Sequence, residues 1–206
     1  MAKKKSIPRM LNLSKLEGRI LVFGDPHGCY KETIEIVEEH KPDHVVFCGD
    51  LVDRGPGVRE LVEYVMNTPN VYTVKGNHER AVQSYYEDNQ GNPKKHGLGA
   101  TVSAFSTYNE EQMAELLSWF RTIPHIIKLP KRYVVVHAGV DPTKPLLEQT
   151  KRTLMYRRSY DPQDPEETSD IPGYLKWYEH EPCKELAQYK IIFGHAIHEH
   201  HDVAHW

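Results

Sequence analysis

Phe47-Cys48-Gly49-Asp50-Leu51-Val52-Asp53-Arg54-Gly55 decides how the rest of the chain is read. The apolar run Val45 to Cys48 has the length and β-branched character of a buried strand. Gly49 and Gly55 allow the chain to turn sharply after it, and a helical pattern begins beyond Gly57. Asp50, Asp53 and Arg54 are thereby predicted on a loop at the carboxyl end of a strand, where open α/β sheets hold their ligands. Alone, such a loop reads equally well as a solvated Asp/Gly turn.

Repetition changes that reading. Ile20 to Phe23 runs into Gly24-Asp25-Pro26-His27-Gly28, and Val71 to Lys75 runs into Gly76-Asn77-His78-Glu79. Each copy is a β-rich run, a glycine, a side chain able to bind metal, and a helix-compatible segment. Strands are expected at Arg19–Phe23, His44–Cys48 and Val71–Lys75. Between them, Tyr30–His40 and Val58–Asn67 place apolar residues at helical spacing, each stopped by a proline. Connections of this length between neighbouring parallel strands cross right-handed, so the βαβαβ order puts all three strand-end loops on one sheet edge. Asp25 and His27, Asp50, and Asn77 and His78 are brought together by topology although they lie far apart in sequence.

Working outward, residues 1–18 read as a loose lead-in, and one domain spanning 1–206 is expected. Arg80 to Phe120 is mostly helical, with a polar loop from Glu87 to Gly99 and an amphipathic helix from Gln112 to Phe120. His125–Leu129 and Tyr133–Val136 read as a hairpin that starts a second sheet and ends in His137. Lys190–Phe193 is a last strand, ending in Gly194-His195. Asp161 to Asp170 reads as a solvated loop. His40, His44, His96, His125 and His180 have no ligand-type company and are read as surface or structural. His198, His200, His201 and His205 are read as solvated residues near the terminus.

Composition bounds the function. The chain has 206 residues, is 39% hydrophobic, and carries a formal net charge of -3. It has no basic footprint for nucleic acid, and Lys3 to Lys5 is a solvated tail. No apolar run approaches the roughly 18 residues of a membrane-spanning helix. Cys29, Cys48 and Cys183 are too scattered for a disulfide framework or a thiolate zinc site. A soluble, cytoplasmic protein with no membrane partner is expected.

The strand ends offer carboxylates, imidazoles and one amide oxygen. That mixture suits manganese, iron or zinc, being too rich in nitrogen for calcium. A carboxylate has two oxygens and can bridge two ions about 3.5–4 Å apart, the usual clamp for displacement at phosphorus. Asp50, central among the loops, is the expected bridge.

The motifs GDPHG (24–28), GDLVDRG (49–55), GNHE (76–79), HAG (137–139) and GH (194–195), in this order, resemble the signature of the calcineurin-like metallophosphoesterases. The full GDLVDRG and GNHE forms resemble the phosphoprotein phosphatase branch, with its serine/threonine phosphatases, the bacteriophage lambda phosphatase and the symmetrical diadenosine tetraphosphatases. The resemblance implies an α/β fold, a β-sandwich of two mixed sheets flanked by helices, with the βαβαβ unit at its N-terminal end. It implies two divalent ions, manganese first, with iron or zinc as alternatives. Asp25, His27 and Asp50 would hold one; Asp50, Asn77, His137 and His195 would hold the other. A water activated between them would attack phosphorus. His78 would protonate the departing oxygen with Asp53 fixing its tautomer, and Arg54 would fork onto phosphate oxygens. Asn77 and His78 would also touch substrate.

A second phosphate-binding arginine is expected within Leu154 to Arg158, with Arg158 preferred over Arg157 by register. Gly97 to Thr101 resembles the paired-glycine element that follows GNHE in bacterial members; it either brings backbone near substrate or simply starts a helix. In the resembling family the chain continues past GH, whereas this sequence stops at Trp206. The leading expectation is a two-metal phosphomonoesterase acting on phosphoserine, phosphothreonine and, more loosely, phosphotyrosine in proteins, or on a small phosphate ester. The alternative is a symmetrical diadenosine polyphosphate hydrolase. A scaffold that kept the fold and lost the chemistry is a third reading, disfavoured because a scaffold needs neither the ligand set nor an acid with its orienter.

Overall fold

The computed structural model describes residues 7–88, 98–164 and 175–196. In chain order the elements are β1 (Met10–Asn12), β2 (Ile20–Phe23), α1 (Tyr30–His40), β3 (His44–Phe47), α2 (Val58–Asn67), β4 (Val71–Thr73), α3 (Asn77–Asp88), α4 (Leu98–Ala104), α5 (Glu110–Thr122), β5 (Ile126–Lys128), β6 (Tyr133–Val135), α6 (Lys151–Tyr156) and β7 (Lys190–Ile192). They fall into two compact units, residues 18–123 and residues 1–17 with 124–206.

In the unit of residues 18–123, β2, β3 and β4 form a parallel sheet with β3 in the middle. Val45, Val46 and Phe47 of β3 are buried, as a strand covered on both faces requires. Helix α2 buries Val58, Leu61, Val62 and Val65, each contributing about 1.5–3 kcal/mol by leaving water. They pack with Val82, Leu98, Phe105, Leu116 and Phe120 into one core. Helix α5 starts in a reciprocal cap: the Asn109 side chain accepts the Gln112 N–H at 2.9 Å, and the Gln112 side chain accepts the Asn109 N–H at 3.0 Å.

In the other unit the strand order is β1-β5-β6-β7. Strands β5 and β6 pair antiparallel across a tight turn in which Lys131 and Arg132 take positive φ. Strands β1 and β7 join their outer edges in parallel. Val134, Val136, Leu146, Leu154, Trp177 and Ile191 form a separate core there.

Two sheets with helices match the α/β expectation, and three details differ. Among the described residues the three-stranded sheet is parallel throughout, and the four-stranded sheet is the mixed one. The lead-in is not wholly loose, since Met10–Asn12 forms an edge strand on β5. The third strand of the βαβαβ unit stops at Thr73. His96, Gly97, His198, His200, His201, His205, Lys3 to Lys5 and most of Asp161 to Asp170 lie outside the described residues. Among the described residues no helix is long and apolar enough to cross a membrane.

Candidate active site

Parallel pairing carries the three loops of residues 18–123 to one sheet edge, and hydrogen bonds knit them. The His27 N–H donates to the Asp50 carbonyl at 2.9 Å, the Gly28 N–H to the Leu51 carbonyl at 2.9 Å, and the Gly55 N–H to the His27 carbonyl at 2.8 Å. The knitting forces unusual backbone: His27, Asp50, Asp53 and Arg54 have φ of 41°, 53°, 71° and 65°. Non-glycine residues in this region cost about 1–3 kcal/mol each and persist where the surroundings over-determine them. Gly76 is required by close approach, since a Cβ there would stand 2.6 Å from the Asp50 nitrogen.

Asp50 is the hub, at 2% exposure. Its Oδ1 accepts the His78 N–H at 3.1 Å in the first turn of α3, where unpaired helix donors favour an anion. Its Oδ2 stands 3.7 Å from His27 Nε2 and 3.7 Å from His78 Nε2. These three donor atoms lie within 4.8 Å of one another, a group able to grip a cation. His27 Nδ1 is 2.8 Å from the Val52 carbonyl; a carbonyl only accepts, so the proton sits on Nδ1 and Nε2 presents its lone pair. Burial pulls the His27 pKa down, against the Val52 hydrogen bond that raises it, which keeps the ring neutral as a ligand must be. For Asp50, burial and then the Glu79 carboxylate raise the pKa up to about 7. A bound divalent ion inverts that balance, so the donor chemistry fits a cation.

His78 Nδ1 lies 2.6 Å from Asp53 Oδ2, and Asp53 is fully buried. Burial alone would lower the His78 pKa, but the Asp53 hydrogen bond and the Asp50 charge outweigh it, and the net shift is upward. Asp25 and Asn77 are half-buried at the same edge, Asn77 opening α3. Arg54 is exposed.

Two buried residues of this edge were not singled out from the sequence. Glu79 is fully buried, and its carboxylate accepts the N–H groups of Asp50 at 3.0 Å, Leu51 at 2.7 Å and Gly76 at 2.8 Å. It ties the GNHE turn to the GDLVDRG loop. Thr101 of α4 is also fully buried; its hydroxyl donates to Asp53 Oδ1 and accepts the Asp53 N–H at 3.0 Å. The segment read as a backbone approach to substrate thus supplies a side-chain contact to Asp53, and a Cβ on Gly99 would meet nothing within 4 Å.

The remaining predicted residues belong to the other unit. His137 and His195 follow the parallel neighbours β6 and β7, with the Gly194 N–H donating to the His137 carbonyl at 2.8 Å. His137 Nε2 and His195 Nδ1 are 3.1 Å apart, a spacing suited to two ligands of one ion at about 2.0–2.1 Å each. Arg158 is exposed and its Nε donates to His195 Nε2 at 3.2 Å. Arg157 is buried, bonds the Ser159 carbonyl at 3.2 Å and lies over the Tyr160 ring. That makes Arg157 a packing residue and leaves Arg158 as the exposed guanidinium of the pair.

Comparison with known proteins places the chain in a family. Residues 18–205 match the calcineurin-like phosphoesterase family. The chain belongs to that family. An asymmetrical bis(5'-nucleosyl)-tetraphosphatase of Halalkalibacterium halodurans is 32% identical over 139 residues, 58% of this chain and 56% of the relative. A symmetrical bis(5'-nucleosyl)-tetraphosphatase of Salmonella paratyphi B is 34% identical over 127 residues, 59% of this chain and 43% of the relative. The chain thus spans about half the length of the curated relatives it matches. A solved structure described as a putative diadenosine tetraphosphatase has a TM-score of 0.71 at 24% identity, covering 91% of this chain and 79% of its own. A serine/threonine phosphatase of Saccharomyces cerevisiae has a TM-score of 0.61 at 20% identity, covering 93% and 66%. At these identities the structures speak for the fold alone.

Proposed function

We propose that the chain hydrolyses the polyphosphate bridge of dinucleoside polyphosphates, the reading held above as the alternative to protein dephosphorylation. One structural observation carries the chemistry: the 2.6 Å pair of His78 and Asp53 beside the Asp50 carboxylate, whose Oδ2 lies 3.7 Å from both His78 Nε2 and His27 Nε2. The choice of substrate is supported by the curated relatives, whose names specify bis(5'-nucleosyl) tetraphosphates. Phosphoprotein as substrate has no comparable support and becomes an outcome of the test.

Asp25, His27 and Asp50 are assigned to one divalent cation, and Asp50, Asn77, His137 and His195 to a second, with manganese preferred over iron or zinc. When bound, such ions polarise phosphoryl oxygens and lower the pKa of a water. Arg54 and Arg158 hold phosphate oxygens through their forked donors, and Asn77 directs its amide at the same group. His78 delivers its Nε2 proton to the departing oxygen while Asp53 keeps the Nδ1–H in place. The same residues serve a phosphate ester or a phosphoanhydride, because both break a P–O bond in line.

The test is chromatography of a diadenosine tetraphosphate digest with manganese present. ADP as sole product gives the symmetrical activity, and ATP with AMP the asymmetrical one. No turnover of the dinucleotide, with phosphate released from phosphopeptides, would replace this reading by the protein-phosphatase one.

A further inference from the structure

We infer that Thr101 is a positioning residue for the acid His78, acting through Asp53; this rests on the reading of His78 as proton donor. The proton count in the Thr101–Asp53 contact has one solution. The Asp53 N–H can only donate, so it occupies a lone pair of the Thr101 hydroxyl, 3.0 Å away. The single hydroxyl proton is then directed to Asp53 Oδ1. Oδ1 being engaged, Oδ2 is the oxygen that faces His78 Nδ1 at 2.6 Å. The carboxylate is pinned at both ends and cannot rotate away from the imidazole.

Burial makes the arrangement matter. Thr101 and Asp53 are both fully inaccessible, so no water replaces the hydroxyl if it is lost. The hydroxyl held on Oδ1 fixes the plane of the carboxylate so that Oδ2 stays in line with His78 Nδ1, and the imidazole is thereby oriented with Nε2 toward the reacting group. Thr101 touches neither substrate nor reacting atoms; it comes from α4, 48 residues beyond Asp53 in sequence. A helix packed for stability alone would need only its methyl group.

Thr101→Val keeps the shape and removes the hydroxyl, and Thr101→Ser keeps the hydroxyl and removes the methyl. The probes are the full-length protein with manganese and two monoesters, 4-nitrophenyl phosphate and phenyl phosphate, whose leaving groups differ in their need for a proton. The second readout, on the metal-free protein, is the ¹⁵N and Nδ1–H NMR signal of His78. In Thr101→Val, phenyl phosphate turnover should fall by about 10- to 100-fold, part of the range for general acid catalysis. Turnover of 4-nitrophenyl phosphate should fall several-fold less, and the Nδ1–H signal should weaken through exchange. Thr101→Ser should restore the wild-type ratio of the two rates and the signal. An equal fall for both esters in Thr101→Val, or an altered ratio in Thr101→Ser, would overturn the assignment. If neither ester is turned over by the wild type, the His78 signal decides alone: an unchanged signal in folded Thr101→Val sinks the inference, whereas diadenosine tetraphosphate turnover reports separately on the substrate reading.

Discussion

Asp53 Oδ2 lies 2.6 Å from Nδ1 of His78, and Nε2 of the same ring lies 3.7 Å from Asp50 Oδ2. One imidazole therefore links an orienting carboxylate to the carboxylate assigned to the cations. Replacing His78 by Asn should lower kcat by about 10²- to 10⁴-fold with little change in KM, as expected when an acid used only in the transition state is removed. Steady-state kinetics on phenyl phosphate, whose leaving group needs the proton, checks this, and a loss confined to KM would contradict it.

Asp53→Asn should move the alkaline limb of the rate profile. His78 has a pKa raised above its ordinary 6.5, so the protonated acid persists to higher pH and activity declines as pH passes that raised value. Without the Asp53 charge and acceptor, burial dominates and the limb should shift to lower pH. The same sign governs stability: His78 contributes fully below 6.5, and the contribution is lost as pH rises through the folded-state pKa. Profiles of kcat/KM against pH for both proteins decide the matter.

Asp50 has a linkage of the same sign, over a window that starts at lower pH. Its carboxyl is raised from 3.8 up to about 7 by burial and by Glu79, so between these values the unfolded chain ionises first and metal-free stability falls as pH rises. Asp50→Asn lacks this slope. The metal-free variant should gain thermal stability relative to wild type on going from pH 4 to pH 8. Manganese at about 100-fold its Kd should add about 2.7 kcal/mol to the wild type, and much less to the variant. Thermal melts with chelator and with manganese test both halves, and a wild type favoured more strongly at pH 8 than at pH 4 without metal would refute the first.

Glu79→Gln preserves shape but replaces one acceptor oxygen by a donor. With three backbone N–H groups aimed at the carboxylate, at least one must then face an NH2 group. Leaving a buried donor unpaired costs about 1–3 kcal/mol, and the lost charge-assisted bonds add to it. Urea unfolding should show a loss of about 2–4 kcal/mol, and manganese affinity measured by calorimetry should weaken as the Asp50 loop loosens.

A control lies away from the chemistry. Asn109→Ala removes the cap of α5 and should cost about 0.5–2 kcal/mol while kcat stays within twofold. Chemical denaturation and a rate assay on the same preparation suffice.

Elements with their own periodicity were legible in the sequence. Tyr30–His40 and Val58–Asn67 are helices over the predicted residues, because their apolar spacing and their stop signals agree. The common edge of the parallel strands followed from topology. Strand β1 was not legible: three residues carry no measurable alternation, and their partner β5 lies over a hundred residues away. Glu79 and Thr101 escaped for a related reason. The first answers to three backbone N–H groups and the second to a carboxylate 48 residues earlier, and neither demand leaves a local pattern. Arg157 and Arg158 were separable only by register, since burial of one and exposure of the other is decided by how the chain leaves α6.

The buried Glu79 carboxylate beside Asp50 bears on how such a chain would decay if selection for catalysis ceased. The Glu79 charge is offset by three backbone N–H groups, whereas burial beside it leaves the Asp50 carboxylate costly in the bare polypeptide. A lineage freed from cation capture would drift toward a neutral side chain at Asp50 and become sturdier for it, while Glu79 stayed. Retention of Asp50 in a descendant is therefore a molecular fossil test: it marks a pocket still under pressure to hold positive charge.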